Sequence, residues 1–137
     1  MYKHILVPLE NTATDDVILQ HIRPLAHFTG ARLTIIHVAD GFMARNQTYF
    51  GESEEIARDR AYLERRKEEL RADGLEVQSI LICGNPAREV LAAADQEQCD
   101  LIAMATHGHR FISDLIRGSV ASEVHHRARV PVLLVRA

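Results

Sequence analysis

Short apolar runs alternate along this chain with longer stretches of helical periodicity. The runs at 5–9, 33–38, 77–82, 101–105 and 132–135 are of strand length and mostly apolar, as strands buried on both faces of a parallel sheet are. Between the first two, Val17, Ile18, Ile22, Leu25 and Ala26 make one stripe of a helix over 14–29, with Gly30 as its stop and Pro24 as a kink. Ser53, followed by Glu54 and Glu55, opens a strongly charged helix running to about residue 73. Its inward seam is the narrow line Ile56, Leu63, Leu70, its end is Gly74, and most of its charges form a solvated face. Asn85 followed by Pro86 is an N-cap with proline at the first helical position, ahead of a helix through Val90, Leu91 and Ala94. A last helix over 119–128 puts Val120, Ala121, Val124 and Ala128 on one side. Residues 40–52 carry no periodicity and read as a long loop, in the position of a lid.

Five strands and four helices in strict alternation predict an α/β fold: an open five-stranded parallel sheet with helices on both faces, doubly wound and flavodoxin/Rossmann-like, with right-handed crossovers. Pro131 before the last strand, and a chain end two residues after Val135, suit an edge strand, and an exposed edge invites pairing with a second copy.

The totals narrow the function. At 137 residues, 47% hydrophobic and 26% charged, the chain is expected to be one globular domain over 1–137. A net charge of only -3, with both signs intermixed, argues against nucleic acid or an anionic membrane surface as a partner. Cys83 and Cys99 lack the spacing of a disulfide framework or a zinc site and are read as reduced and buried. Residues 1–7 do not read as a leader, and no apolar run approaches the roughly 20 residues of a spanning helix, so a cytoplasmic location is expected.

Ligands of open parallel sheets bind outside the carboxyl ends of the strands. Three segments lie there: Pro8, Leu9 and Glu10 after the first strand, Val38 to Asp40 after the second, and the connection from Ala105 to Ser119 after the fourth. In the third, Gly108 permits close backbone approach, and Gly118 and Ser119 precede a helix whose free N–H groups attract anions. Gly108 as a plain turn and Ser119 as a plain cap remain the alternative reading of these two residues.

The string Ala105, Thr106, His107, Gly108, nine residues, Gly118, Ser119 resembles the nucleotide signature of the universal stress protein family: Gly, two residues, Gly, nine residues, Gly, then Ser or Thr. The first strand into Pro8, Ile36-His37-Val38, Gly84-Asn85-Pro86-Ala87 and Val130-Pro131-Val132 are similar to other landmarks of that family, so the resemblance covers essentially the whole chain. It implies a strand order 3-2-1-4-5, a homodimer formed through the last strand (130–135), and ATP between the ends of strands one and four. It further implies phosphates and ribose on Gly108, Gly118 and Ser119, with His107, His109, Arg110 and Val120 in the same segment. Val38 then lies at the adenine, and Pro8, Leu9 and Glu10 form the floor. The sequence departs from the pattern twice. Ala105 replaces the first glycine, a change tolerable in ordinary β backbone and harmful at positive φ or where the base packs against the methyl. Glu10 replaces an aspartate, moving the carboxylate for a ribose hydroxyl or a magnesium ion out by one methylene.

The expected function is therefore an ATP-binding, ligand-sensing stress-regulatory dimer with an unidentified regulated protein, in which ATP orders the 40–52 loop. A nucleotide-free dimeric interaction protein is the alternative, and an ATP-hydrolysing or nucleotidyl-transferring enzyme a weaker one. His125 and His126 point apart on a helix, and His107 with His109 has no completing ligand, so no metal centre is read beyond Glu10 with bound nucleotide. His107-Gly108-His109 lacks the leading histidine of a nucleotidyltransferase motif, Ser113, Ser119 and Ser122 have no assigned base, and no lysine-bearing P-loop occurs.

Overall fold

Apolar runs become strands here because helices cover both faces of the sheet. The computed structural model describes residues 1–40, 54–106 and 120–137. In chain order these form β1 (His4–Pro8), α1 (Thr14–Thr29), β2 (Arg32–Asp40), α2 (Glu54–Ala72), β3 (Val77–Gly84), α3 (Pro86–Gln96), β4 (Leu101–Thr106), α4 (Val120–Arg127) and β5 (Val132–Arg136). The strands pair in parallel in the order β3-β2-β1-β4-β5, as the resemblance implies.

Side chains alternate across the sheet, so each strand feeds two cores. Ile5, Val7, Leu33, Ile35, Leu101 and Ala103 pack with Ile18 and Ile22 of α1 and Leu63 and Leu70 of α2. Leu6, Ile36, Ile102 and Met104 pack on the other face with Val90 and Ala94 of α3 and Ala121 and Val124 of α4. Burial of each large aliphatic side chain contributes about 1.5–3 kcal/mol, and among the described residues Ile5, Leu6, Ile18, Ile22, Leu33 and Ile102 are almost wholly enclosed.

Turn chemistry matches the sequence. Gly30 closes α1 in the left-handed conformation at φ 73°, its N–H donating to the Ala26 carbonyl, and the Asn85 side chain accepts from the Arg88 N–H at 3.0 Å to cap α3. Some expectations shift. Leu9 lies just past β1 while its N–H still bonds the Ile36 carbonyl at 2.8 Å. Strand β2 continues two residues further than Val38. Both cysteines are free; Cys99 is buried, which pushes its thiol up to about 12, but Cys83 is only half-buried because β3 is an edge strand. Ser53 and Ser119, the expected helix starts, and the loop after residue 40 lie outside the described residues.

At the opposite end of the sheet from the strand carboxyl ends, a polar network is buried. The His4 ring donates from Nδ1 to the Glu97 carbonyl at 3.0 Å and meets Thr34 Oγ1 at 2.6 Å through Nε2. Thr34 Oγ1 also accepts from Gln78 Nε2 at 2.8 Å, which leaves the Thr34 proton free to be donated to a bare Nε2 of a neutral ring. Burial, then the nearby Arg32, lowers the His4 pKa from its ordinary 6.5. The unfolded chain therefore takes up a proton near pH 6.5 that the folded chain resists. The His4 contribution is complete above that pH and is lost as the pH falls through the lowered folded value. Thermal denaturation should show the melting temperature falling on acidification below about pH 6.5, with a shallower slope in His4→Gln; parallel profiles would refute this role.

Candidate functional site

The two halves of the sheet part at their carboxyl ends. β1 pairs with β2 from His4 through Pro8, and β4 with β5 from Ile102 through Thr106, but β1 and β4 pair only at Ile5–Leu101 and Leu6–Ile102. Beyond Leu6 the gap becomes a cleft of about 220 Å³. It lies where the strand connections reverse direction, the place at which open α/β sheets bind ligands. Its apolar walls are Pro8 and Leu9 from β1 and its exit, Ile36 and Val38 from β2, Met104 and Ala105 from β4, Pro86 and Val90 from α3, and Val120 from α4. Glu10, Thr14, Asp15 and His37 line its polar side.

A buried carboxylate holds the floor in shape. Asp15, in the first turn of α1, is 1% exposed and accepts from the Glu10 N–H at 2.9 Å and the Asn11 N–H at 2.8 Å. Tyr62 of α2 donates its hydroxyl to the same carboxylate at 2.5 Å. The tyrosine is buried and bound to this anion, so its pKa rises to about 12 and it stays a donor throughout the physiological range. Arg66 lies over the Tyr62 ring, donates to its oxygen at 3.1 Å and pairs with Asp16. Asn11 sits at φ 61°, a left-handed turn that asparagine tolerates, and its side-chain amide donates to Asp59 of α2 at 3.0 Å.

Of the residues singled out from the sequence, Pro8, Leu9, Glu10, Val38, Ala105 and Val120 line this one cleft. His107, Gly108, His109, Arg110, Gly118 and Ser119 lie outside the described residues. Ala105 stands inside β4, paired with Val135, so its backbone is ordinary strand and the lost glycine costs no strain there. Sequence reasoning missed Ile36, Met104 and Val90 as walls, because apolar residues of a strand or helix carry no mark that separates cleft from core. It also missed Asp15, Asp59 and Tyr62; the last two sit three residues apart beside the seam residues Ile56 and Leu63, the one available signal that they face inward. Among the described residues no group of three or more His, Cys, Asp and Glu is placed to hold a metal, and no helix is long and apolar enough to cross a membrane.

An open parallel sheet in this order, with a partly apolar crevice at its switch point, defines a doubly wound, flavodoxin/Rossmann-like α/β protein. The sequence profile described as the Universal stress protein family matches residues 1–136, and the chain belongs to that family of stress-response proteins. Universal stress protein MJ0577 of Methanocaldococcus jannaschii is 27% identical over 99% of this chain and 96% of its own, and its solved structure superposes with a TM-score of 0.77, covering 100% of this chain and 97% of that one. A universal stress protein of Thermus aquaticus is 31% identical over 99% of this chain and all of its own. Two structures at 20% and 21% identity share the fold: a universal stress protein in complex with cAMP (TM-score 0.79, 98% of this chain and 97% of that one) and one from Archaeoglobus fulgidus in complex with dAMP (TM-score 0.73, 97% of each).

The pinned floor yields a prediction. Tyr62→Phe removes one donor from a buried carboxylate and should destabilise the fold by about 1–2 kcal/mol. Asp15→Asn, whose amide nitrogen meets a backbone N–H as a second donor, should cost more, about 2–4 kcal/mol. Urea denaturation measures both, and an Asp15→Asn variant as stable as the parent would contradict the assignment.

Proposed function

We propose that the cleft binds an adenine nucleotide, ATP foremost, and that the chain is a ligand-sensing dimer without catalytic turnover. The observation that supports this best is the parting of β1 and β4 into a crevice with an apolar wall and a polar side. In this reading a planar base enters against Val38, Ile36 and Met104, and a ribose hydroxyl meets Glu10, beside which Thr14 donates to its carboxylate at 3.4 Å. The phosphates extend toward Gly108, Gly118 and Ser119, with His107, His109 and Arg110 beside them and Val120 opening α4. The two adenine nucleotides held by proteins of this fold, cAMP and dAMP, support the ligand class. Glu10 brings one carboxylate, so magnesium would be carried mainly by the nucleotide's own phosphates rather than by a protein cage.

The dimer is proposed to form through β5, an edge strand whose Leu134 is 40% exposed. The signal passes to a regulated protein by differential affinity of the nucleotide for two states of the dimer. Ala105 and Glu10, the two departures from the family pattern, favour a second reading, a nucleotide-free dimeric interaction protein.

Calorimetric titration of ligand-free protein with ATP and ADP, with and without magnesium, separates these. Saturable binding is expected, with Val38→Glu weakening it at least tenfold by placing a charge against the base. Absence of binding to the parent protein favours the nucleotide-free reading, and turnover of about 1 per second or faster makes the chain an enzyme.

A further inference from the structure

Helix α2 reaches the floor of the cleft through a second carboxylate. Asp59 is buried. Its Oδ1 accepts from the Asn11 side chain at 3.0 Å, and its Oδ2 lies 3.2 Å from Nε2 of His37. The other ring nitrogen of His37 is 2.8 Å from the Leu9 carbonyl oxygen. A carbonyl and a carboxylate are both acceptors, so this arrangement is complete only when His37 carries a proton on each nitrogen. A neutral ring leaves one lone pair against an oxygen. Glu10, Asn11, Glu55, Arg58 and Asp59 line the polar recess around His37; Asp15 and Glu10 share the main cleft with it, and its partner on β3 is the uncharged Leu81.

We propose that Asp59 is a positioning residue of the ligand site: from α2 it holds residues 9–11 through His37 and Asn11, and its ion pair with protonated His37 makes ligand affinity fall as the pH rises. The ligand part of this inference rests on the nucleotide reading above; the positioning part does not. Asp59 and Tyr62, three residues apart on α2, thus grip the same short segment, Tyr62 through Asp15 and Asp59 through His37 and Asn11. The direction of the pH effect follows from the donor count. At low pH both links of His37 are made, and at high pH one lapses and the Leu9 carbonyl or the Asp59 carboxylate is released.

Two measurements across pH 5.5–8.5 test this on the full chain: amide hydrogen exchange at Glu10 and Asn11 without ligand, corrected for intrinsic rates, and ATP affinity. Asp59→Asn is the key variant, since an amide can accept from a protonated nitrogen or donate to a bare one and so serves His37 in either state. The parent should lose protection at both amides, and about tenfold in ATP affinity relative to Asp59→Asn, from the low to the high end, the scale of one hydrogen bond to a charged group. Comparing the two proteins removes the nucleotide's own titration. Asn11→Gly, which keeps the left-handed turn and removes one link, should weaken protection at every pH. Parallel exchange profiles in the parent and Asp59→Asn would overturn the proposal. If the parent binds no ATP at any pH, the nucleotide reading falls, and the exchange data alone decide whether Asp59 positions the floor.

Discussion

The carboxylate of Asp15 carries a disproportionate share of this architecture. Burying a charge is costly unless its hydrogen bonds are replaced, and here two backbone N–H groups and a tyrosine hydroxyl replace them. In doing so the carboxylate ties three things that the sheet does not connect: the exit of β1, the first turn of α1 and the middle of α2. The β1–α1 connection has no ladder bonds beyond that of Leu9, so its shape comes from these side chains together with the turn bonds from the Asp15 N–H to the Thr12 carbonyl and the Asp16 N–H to the Ala13 carbonyl. A site built on that connection inherits their rigidity.

The opening of the sheet is the complementary half of the design. Strand order places the two crossover directions on either side of β1 and β4, which frees the carboxyl ends of these strands from each other after Leu6 and Ile102. The side chains there continue the alternation of the two cores, so the cleft's walls and the core are one packed surface. Ala105 fits this geometry without strain because a strand backbone, rather than a turn, lies at its position. The opposite end of the sheet is tied instead by the His4–Thr34–Gln78 network.

The framework was legible in the sequence because apolar runs and 3.6-residue stripes are direct consequences of two-sided burial. Gly30, Asn85 and Pro86 marked boundaries for local steric reasons that hold in any context. Pro8, Leu9, Glu10, Val38 and Ala105 were legible as neighbours because strand ends in this topology converge, and Val120 through the family resemblance. The polar pins were not. Asp15, Asp59 and Tyr62 look like ordinary polar positions of α1 and α2, since inward orientation of a charged residue depends on a partner far away in sequence, such as Tyr62 for Asp15 across 47 residues. Cys83 appeared to be core for the opposite reason: an apolar run does not reveal that its strand lies at the edge.

The central claim is that the crevice between the parted ends of β1 and β4 is where this protein meets a nucleotide. Backbone amide shifts followed by NMR during titration with ATP test it most directly. The account predicts saturable shifts centred on Glu10, Val38, Ala105 and Val120, with the β3 edge at Ile82 and the His4 end of the sheet unaffected. Saturable binding that leaves those four amides unmoved, or that maps to another face, would contradict it.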